Sequence, residues 1–364
     1  MQYKTLANKG VQTLSPYQAG KPIEELEREL GIANIVKLAS NENPFGFPES
    51  AKQAISAQLD DLTRYPDANG FYFKEGVAKK FGVAMNQITL GNGSNDLLEL
   101  IARTFANEGD EIIFSQYAFI VYPLVAQAIN AKSVVVPAND FGHDLDGFLA
   151  SITAKTKLIY LANPNNPTGT FLSHQQIADF LANVPKNVIV VLDEAYTEFT
   201  EPQERVNSFA LLEQHSNLVI CRTLSKAYGL AGLRIGYAVS NPEIADLFNR
   251  VRQPFNCNSL ALAAAIAVMQ DDDFIEKVAE NNRLEMARYE QFFTENGLDY
   301  IPSKGNFITV NLNQPAAPIY QKLLEQGVIV RPIGVYGMPN HLRISIGLPE
   351  ENDRFFTALL NVLK

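Results

Sequence analysis

From about residue 88 to residue 223, short apolar runs alternate with stretches whose apolar residues recur at helical spacing. The runs fall near 111–114, 132–136, 158–162, 188–192 and 218–222, with another entering the glycine turn after Leu90. Short β-branched runs between polar residues predict strands buried on both faces, and their alternation with helices predicts a parallel sheet with helical cover. After Pro254 the pattern changes. Helical periodicity over 259–269 and 273–295 gives way to a strand at 307–310 and a helix at 317–326. Strands at 328–331 and 341–346 and a final helix at 350–363 complete a smaller α+β unit. The fold class expected is therefore α/β, with a large, mostly parallel sheet and a second α+β domain.

Composition narrows the function without choosing it. The chain has 364 residues, enough for two domains, and a net charge of −10 with no basic run, which excludes non-specific nucleic-acid binding. No apolar run is long enough to span a bilayer, and residues 1–8 lack the apolar core of a signal peptide. Cys221 and Cys257 make no disulfide framework, so a reducing, cytoplasmic setting is expected. Four scattered histidines lack the spacing of metal ligands, so no metal is expected.

The chemistry concentrates in a few turns. Arg222-Thr223-Leu224-Ser225-Lys226 places a lysine directly after a serine, in a turn rich in small residues, with Arg234 eight positions on. That suits a lysine bonded to pyridoxal phosphate (PLP), with hydroxyl and guanidinium groups awaiting a phosphate. A lone lysine is usually a solvated charge, so the case rests on its partners. Asp193 follows the apolar run 188–192, where open α/β sheets bind ligands, and there it would accept a hydrogen bond from a protonated pyridine nitrogen and keep that nitrogen charged. Tyr196, three residues on, would reach the ring oxygen. An apolar strand ending Asp-Glu also suits a magnesium-binding nucleotide hydrolase, but the required G-x-x-x-x-G-K-[ST] loop is missing.

Gly91-Asn92-Gly93-Ser94-Asn95-Asp96 opens a helix, where free amides make an anion site. Asp96 stands where a dinucleotide fingerprint needs its third glycine, so a single phosphate on Ser94 and Asn95 fits better. Asn163-Pro164-Asn165-Asn166-Pro167-Thr168-Gly169 reads alone as an ordinary turn. Beside Asp193 and Lys226 it reads as a mount that aims the Asn166 amide at the ring.

Taken in chain order (glycine cradle, Asn166-Pro167-Thr168-Gly169, Asp193 with Tyr196, Ser225-Lys226, Arg234), the motifs resemble the fold type I PLP-dependent aminotransferases, class I/II, over nearly the whole chain. More narrowly they are similar to the histidinol-phosphate aminotransferase branch, through segments 15–22, 38–46, 64–67, 328–332 and 342–345. The resemblance implies a transaminase of histidine biosynthesis, exchanging an amino group between L-histidinol phosphate and 2-oxoglutarate. It also implies roles. Lys226 bonds the cofactor aldehyde and later moves the proton at the substrate α-carbon. Asp193 pairs with the ring nitrogen, while Tyr196 and Asn166 bond the ring oxygen. Ser94, Asn95, Thr223, Ser225 and Arg234 hold the phosphate. Tyr117 stacks on the ring, with Phe119 the other candidate. Tyr65 reaches the cofactor phosphate of a neighbouring subunit, which implies a homodimer with shared sites. Arg343 clamps the glutamate α-carboxylate and Arg331 meets the substrate phosphate, with Tyr17, Asn43 and Asn306 lining the same pocket. The implied organisation is an arm over 1–40 that joins the small domain, a PLP-binding domain over 41–252 and a small domain over 253–364. An aromatic amino acid aminotransferase, a decarboxylase of phosphorylated threonine and a non-catalytic protein of the same fold remain the alternatives.

Overall fold

The computed structural model describes residues 3–17 and 20–364. Gln18 and Ala19, part of the 15–22 segment, lie outside the described residues. Strand β1 is the short Val36–Lys37. The large sheet is built from β2 (Ile88–Gly91), β3 (Glu111–Ser115), β4 (Lys132–Val136), β5 (Thr156–Ala162), β6 (Ile189–Asp193), β7 (Leu218–Thr223) and β8 (Gly236–Ser240). Their spatial order is β2-β8-β7-β6-β5-β3-β4. Only β8 runs against its neighbours, pairing antiparallel with both β2 and β7.

The periodicity accounts for this sheet. Val190 and Leu192 of β6 enter one apolar core, whereas Ile189 and Val191 enter another on the opposite face. Such double burial removes any polar face, which is why the sequence shows continuous apolar runs rather than alternation. The antiparallel β8 was not among the expected strands: its five residues follow a glycine-rich turn and carry no long apolar run. It matters for function. The chain leaves β7, makes an excursion through Lys226 and Arg234, and returns as β8.

Strands β2, β3, β5, β6 and β7 all point the same way. Their carboxyl ends therefore deliver the glycine cradle, the Tyr117–Tyr122 segment, the Asn163–Gly169 loop, Asp193 and Lys226 to one edge of the sheet. Ligands bind at that edge in open α/β folds.

The smaller unit holds an antiparallel sheet of β9 (Asp299–Ile301), β10 (Phe307–Asn311), β12 (Arg331–Pro332) and β13 (His341–Ser345), in the order β12-β13-β10-β9. Strand β11 (Val328–Ile329) pairs parallel with β1 and so ties the N-terminal segment to this unit. The run 328–331, expected as one strand, is thus two that serve different sheets, changing over at the buried Val330.

The expected boundary at 253 needs correction. Helix Ser259–Val268 is apolar almost throughout, and its Ala261, Leu262, Ala264, Ala265 and Val268 belong to the core of the large sheet. A helix without a polar face must be buried, and the large core provides the cover. The small unit's own core begins with Met286, Tyr289 and Phe293 of the next helix, Asp272–Glu295.

Candidate active site

The loops at the sheet edge and the small unit enclose a cavity of about 190 Å³. One water needs only about 10–15 Å³ of such space, so a molecule of roughly a dozen or more heavy atoms fits. Lys226, Arg234, Arg331 and Arg343 line it against a single carboxylate, Asp193, so the cavity favours anions. Ser94, Asn95, Asn166, Tyr196, Thr223, Ser225 and Tyr17 also line it, as the sequence led us to expect.

Lys226 lies on the excursion between β7 and β8, and its Nζ donates to the Ser40 carbonyl at 2.9 Å. Its pKa is lowered to about 7, first by burial, then by the Arg343 guanidinium and, less, by Arg234. Burial and the arginine from the small unit thus weigh more than the neighbouring Arg234. Asp193 ends β6, where Tyr122 donates its hydroxyl to Oδ2 at 2.8 Å. Its Oδ1 is buried without a partner, and burial raises its pKa to about 6 against the relief from Tyr122 and the Ala195 amide. The next residue, Glu194, faces away and is matched by Arg222 at 2.8 Å and by the Ser208 hydroxyl. Alternation along one strand thus separates a structural carboxylate from a chemical one.

Around Tyr196 the donors converge. Its hydroxyl accepts from Asn41 Nδ2 at 3.0 Å and from Asn166 Nδ2 at 3.1 Å. Asn166 Oδ1 accepts from Arg343 at 2.6 Å, while another arm of Arg343 donates to the Ala39 carbonyl at 2.8 Å. Arg343 Nε is buried with no acceptor. Thr223, Ser225 and Arg234 form a second group, with Arg234 donating to Ser225 Oγ at 3.2 Å. Gly93 has φ +82°, and a Cβ there would collide with the Arg234 guanidinium; one at Gly236 would press on the Ser94 amide. Both glycines let the arginine and the helix start Ser94–Phe105 close on the same space.

These residues fit the cofactor that the resemblance implies. An orphaned buried carboxylate oxygen suits a protonated ring nitrogen, and the amides, hydroxyls and guanidinium at the glycine cradle suit a phosphate.

Four expected residues stand elsewhere. Phe119 lines the cavity; Tyr117 does not, because its ring packs with Phe141, Ile301, Ile333 and Met338. Asn43 spends its amide on the Ala227 carbonyl and the Phe45 N–H, so it shapes the lysine loop instead of lining the pocket. Asn306 likewise holds the Asn41 carbonyl at 3.1 Å. Tyr65 is 82% exposed, stacked on Phe255 and away from this cavity. Sequence reasoning missed Asn41, Tyr122 and Tyr336. Asn41 lies within the 38–46 segment, and Tyr122 closes the aromatic stretch that begins at Tyr117.

The chain belongs to the aminotransferase class I and II family, whose pattern matches residues 33–359. It is an aminotransferase by that membership. Among individual proteins it is similar to the "Histidinol-phosphate aminotransferase 2" of Haemophilus influenzae, 78% identical over 364 residues that make up all of both chains. It is 54% identical to the protein of that name from Pseudomonas fluorescens, over 99% of this chain and 98% of the other. Among solved structures it resembles the histidinol-phosphate aminotransferase of Sinorhizobium meliloti in complex with pyridoxal-5'-phosphate, with TM-score 0.90 and 30% identity over 98% of this chain and 96% of that one.

Proposed function

We propose that this chain is a PLP-dependent transaminase of histidine biosynthesis that exchanges an amino group between L-histidinol phosphate and 2-oxoglutarate, giving imidazole acetol phosphate and L-glutamate. One observation carries the reading. A half-buried amine with its pKa lowered to about 7, a buried carboxylate with an unpaired oxygen and a set of arginines share one anion-favouring cavity. The relatives named above support the choice of substrate.

PLP, when bound, supplies an aldehyde that condenses with amines and a ring that takes up the electrons of the Cα–H bond. The chain does the rest. Asp193 keeps its charge available to a cationic ring nitrogen because Tyr122 stabilises the ionised form. Tyr196, whose hydroxyl accepts from two amides, would donate a hydrogen bond to the ring oxygen. Lys226, whose amine is increasingly neutral above about pH 7, would hold the cofactor covalently and serve as the base that takes and returns the α-proton. Arg343 is braced by Asn166 and Ala39, so a carboxylate meets a guanidinium already oriented.

Histidinol phosphate carries a phosphate and no carboxylate, whereas glutamate carries two carboxylates. Arg331 lines the cavity and lies over the Tyr17 ring, 5.8 Å from its centroid, where it would meet the phosphate of one substrate or the distal carboxylate of the other. Phe119, which lines the cavity, would cover the ring face. The exposed Tyr65 reaches the cofactor phosphate in a partner copy, which makes the working unit a homodimer with shared sites. The setting is cytoplasmic; no helix among the described residues is long and apolar enough to cross a membrane. The test is a pair of half-reactions followed by cofactor absorbance. Glutamate converts the loaded protein to its amine form, and imidazole acetol phosphate restores it faster than phenylpyruvate does. Failure of the second step with the phosphorylated ketone refutes the substrate assignment.

A further inference from the structure

The small sheet aligns four residues in one rung. Strand pairing sets Ile301 opposite Thr309, Thr309 opposite Arg343, and Arg343 opposite Arg331. Directly paired residues on antiparallel strands point to the same face. Two of the four are proposed to meet substrate. Thr309 is fully buried, and its hydroxyl donates to the Pro167 carbonyl at 2.7 Å, across from the small unit to the loop that carries Asn166.

The consequence is a closed set of contacts. Arg343 NH1 donates to Asn166 Oδ1 at 2.6 Å, and the neighbouring residue in its rung grips the very next peptide of the same loop. Asn166 in turn donates to the Tyr196 hydroxyl at 3.1 Å. Pro167 is buried, so its carbonyl, without the threonine, would relax toward another donor and carry Asn166 with it. The loop has a separate tether, because the Lys304 amide donates to the Gly169 carbonyl at 2.9 Å. Removing the hydroxyl therefore moves the Asn166 peptide without releasing the loop.

We infer that Thr309 is a positioning residue for carboxylate recognition: through the Pro167 carbonyl it fixes Asn166, and through Asn166 the guanidinium of Arg343. This rests on the transaminase reading, in which Arg343 binds the α-carboxylate. It adds a residue that touches neither substrate nor cofactor, and that tunes one class of substrate over the other. Histidinol phosphate, lacking a carboxylate, is the less affected partner.

The experiment uses PLP-loaded protein and two unreactive probes, succinate and inorganic phosphate, with affinities measured by calorimetry. Thr309→Val keeps the shape and removes the donor; Thr309→Ala removes it without a β-branch; Thr309→Ser restores it. Val and Ala should weaken succinate about tenfold, as expected for losing one oriented polar contact at a charged site, while Ser stays within about twofold of wild type. Phosphate affinity should hold in all three. Unchanged succinate binding in Val and Ala overturns the inference, and so does an equal loss for both probes, which would mean general loosening. Wild-type turnover of glutamate is measured alongside. If it is absent while succinate still responds to Thr309, the transaminase reading fails and the positioning role stands. If wild type binds no succinate, both fall.

Discussion

Asp193→Asn should stabilise the cofactor-free protein and impair the loaded one. Burial raises the Asp193 carboxyl from 3.8 to about 6, so the folded state binds its proton more tightly than the unfolded state does. Stability therefore falls as pH rises through that window, and the penalty is complete above about 6 to 7. At 1.36 kcal/mol per pKa unit, the buried charge costs about 3 kcal/mol at pH 8, roughly half of that at pH 5 and little at pH 4. Asparagine removes the charge and keeps an oxygen that can accept from Tyr122. The cofactor-free variant should then exceed wild type by about 3 kcal/mol at pH 8, with the gap roughly halved at pH 5. The assay is urea unfolding of both cofactor-free proteins at the two pH values. Cofactor affinity should move the other way, dropping at least tenfold because the ring nitrogen loses its anion. A gap independent of pH, or a variant less stable at pH 8, would refute the argument that desolvation of this carboxylate is the cost of its function.

Three further outcomes are expected. In cofactor-free protein, Lys226 should react with an acylating reagent with a midpoint near pH 7, since its lowered pKa leaves the amine neutral above that point; peptide mass mapping that gives a midpoint near 10 contradicts the burial argument. Phe119→Ala should lower cofactor affinity by about 1–3 kcal/mol through the lost ring contact, whereas Tyr117→Ala should leave it nearly unchanged; equilibrium titration distinguishes the two. Arg331→Ala should raise KM for histidinol phosphate tenfold or more, with a smaller effect on kcat; equal loss for an unphosphorylated aromatic amino acid would show that Arg331 does not recognise the phosphate.

Much of the large sheet was legible because double burial leaves a direct trace in composition. The runs at 111–114, 158–162 and 188–192 are apolar for the same reason that they are central. The acid was legible because it ends such a strand, and the lysine because it follows another by three residues. Other features left no trace. Strand β8 is short and opens with glycine, and its direction follows from the route of the lysine loop. Tyr117 and Phe119 are equivalent aromatics two residues apart. What separates them is the apolar cluster of Phe141, Ile301, Ile333 and Met338, assembled from distant parts of the chain, that draws Tyr117 away. Asn41 and Asn43 differ in the same way: one meets Tyr196, the other a backbone carbonyl behind the lysine loop.

By itself, the order of residues determined the class of fold and the kinds of groups that reach the sheet edge. Periodicity decides which residues must be buried, and a strand's end decides where its next side chain emerges. Only the tertiary structure decided how those groups are charged and aimed. The Lys226 amine titrates near 7 because burial and an arginine 117 positions further along the chain act on it together. Asn166 is oriented because one rung of another domain's sheet meets its loop at two points. Such effects depend on distances between residues remote in sequence, and no local pattern encodes a distance that only packing sets.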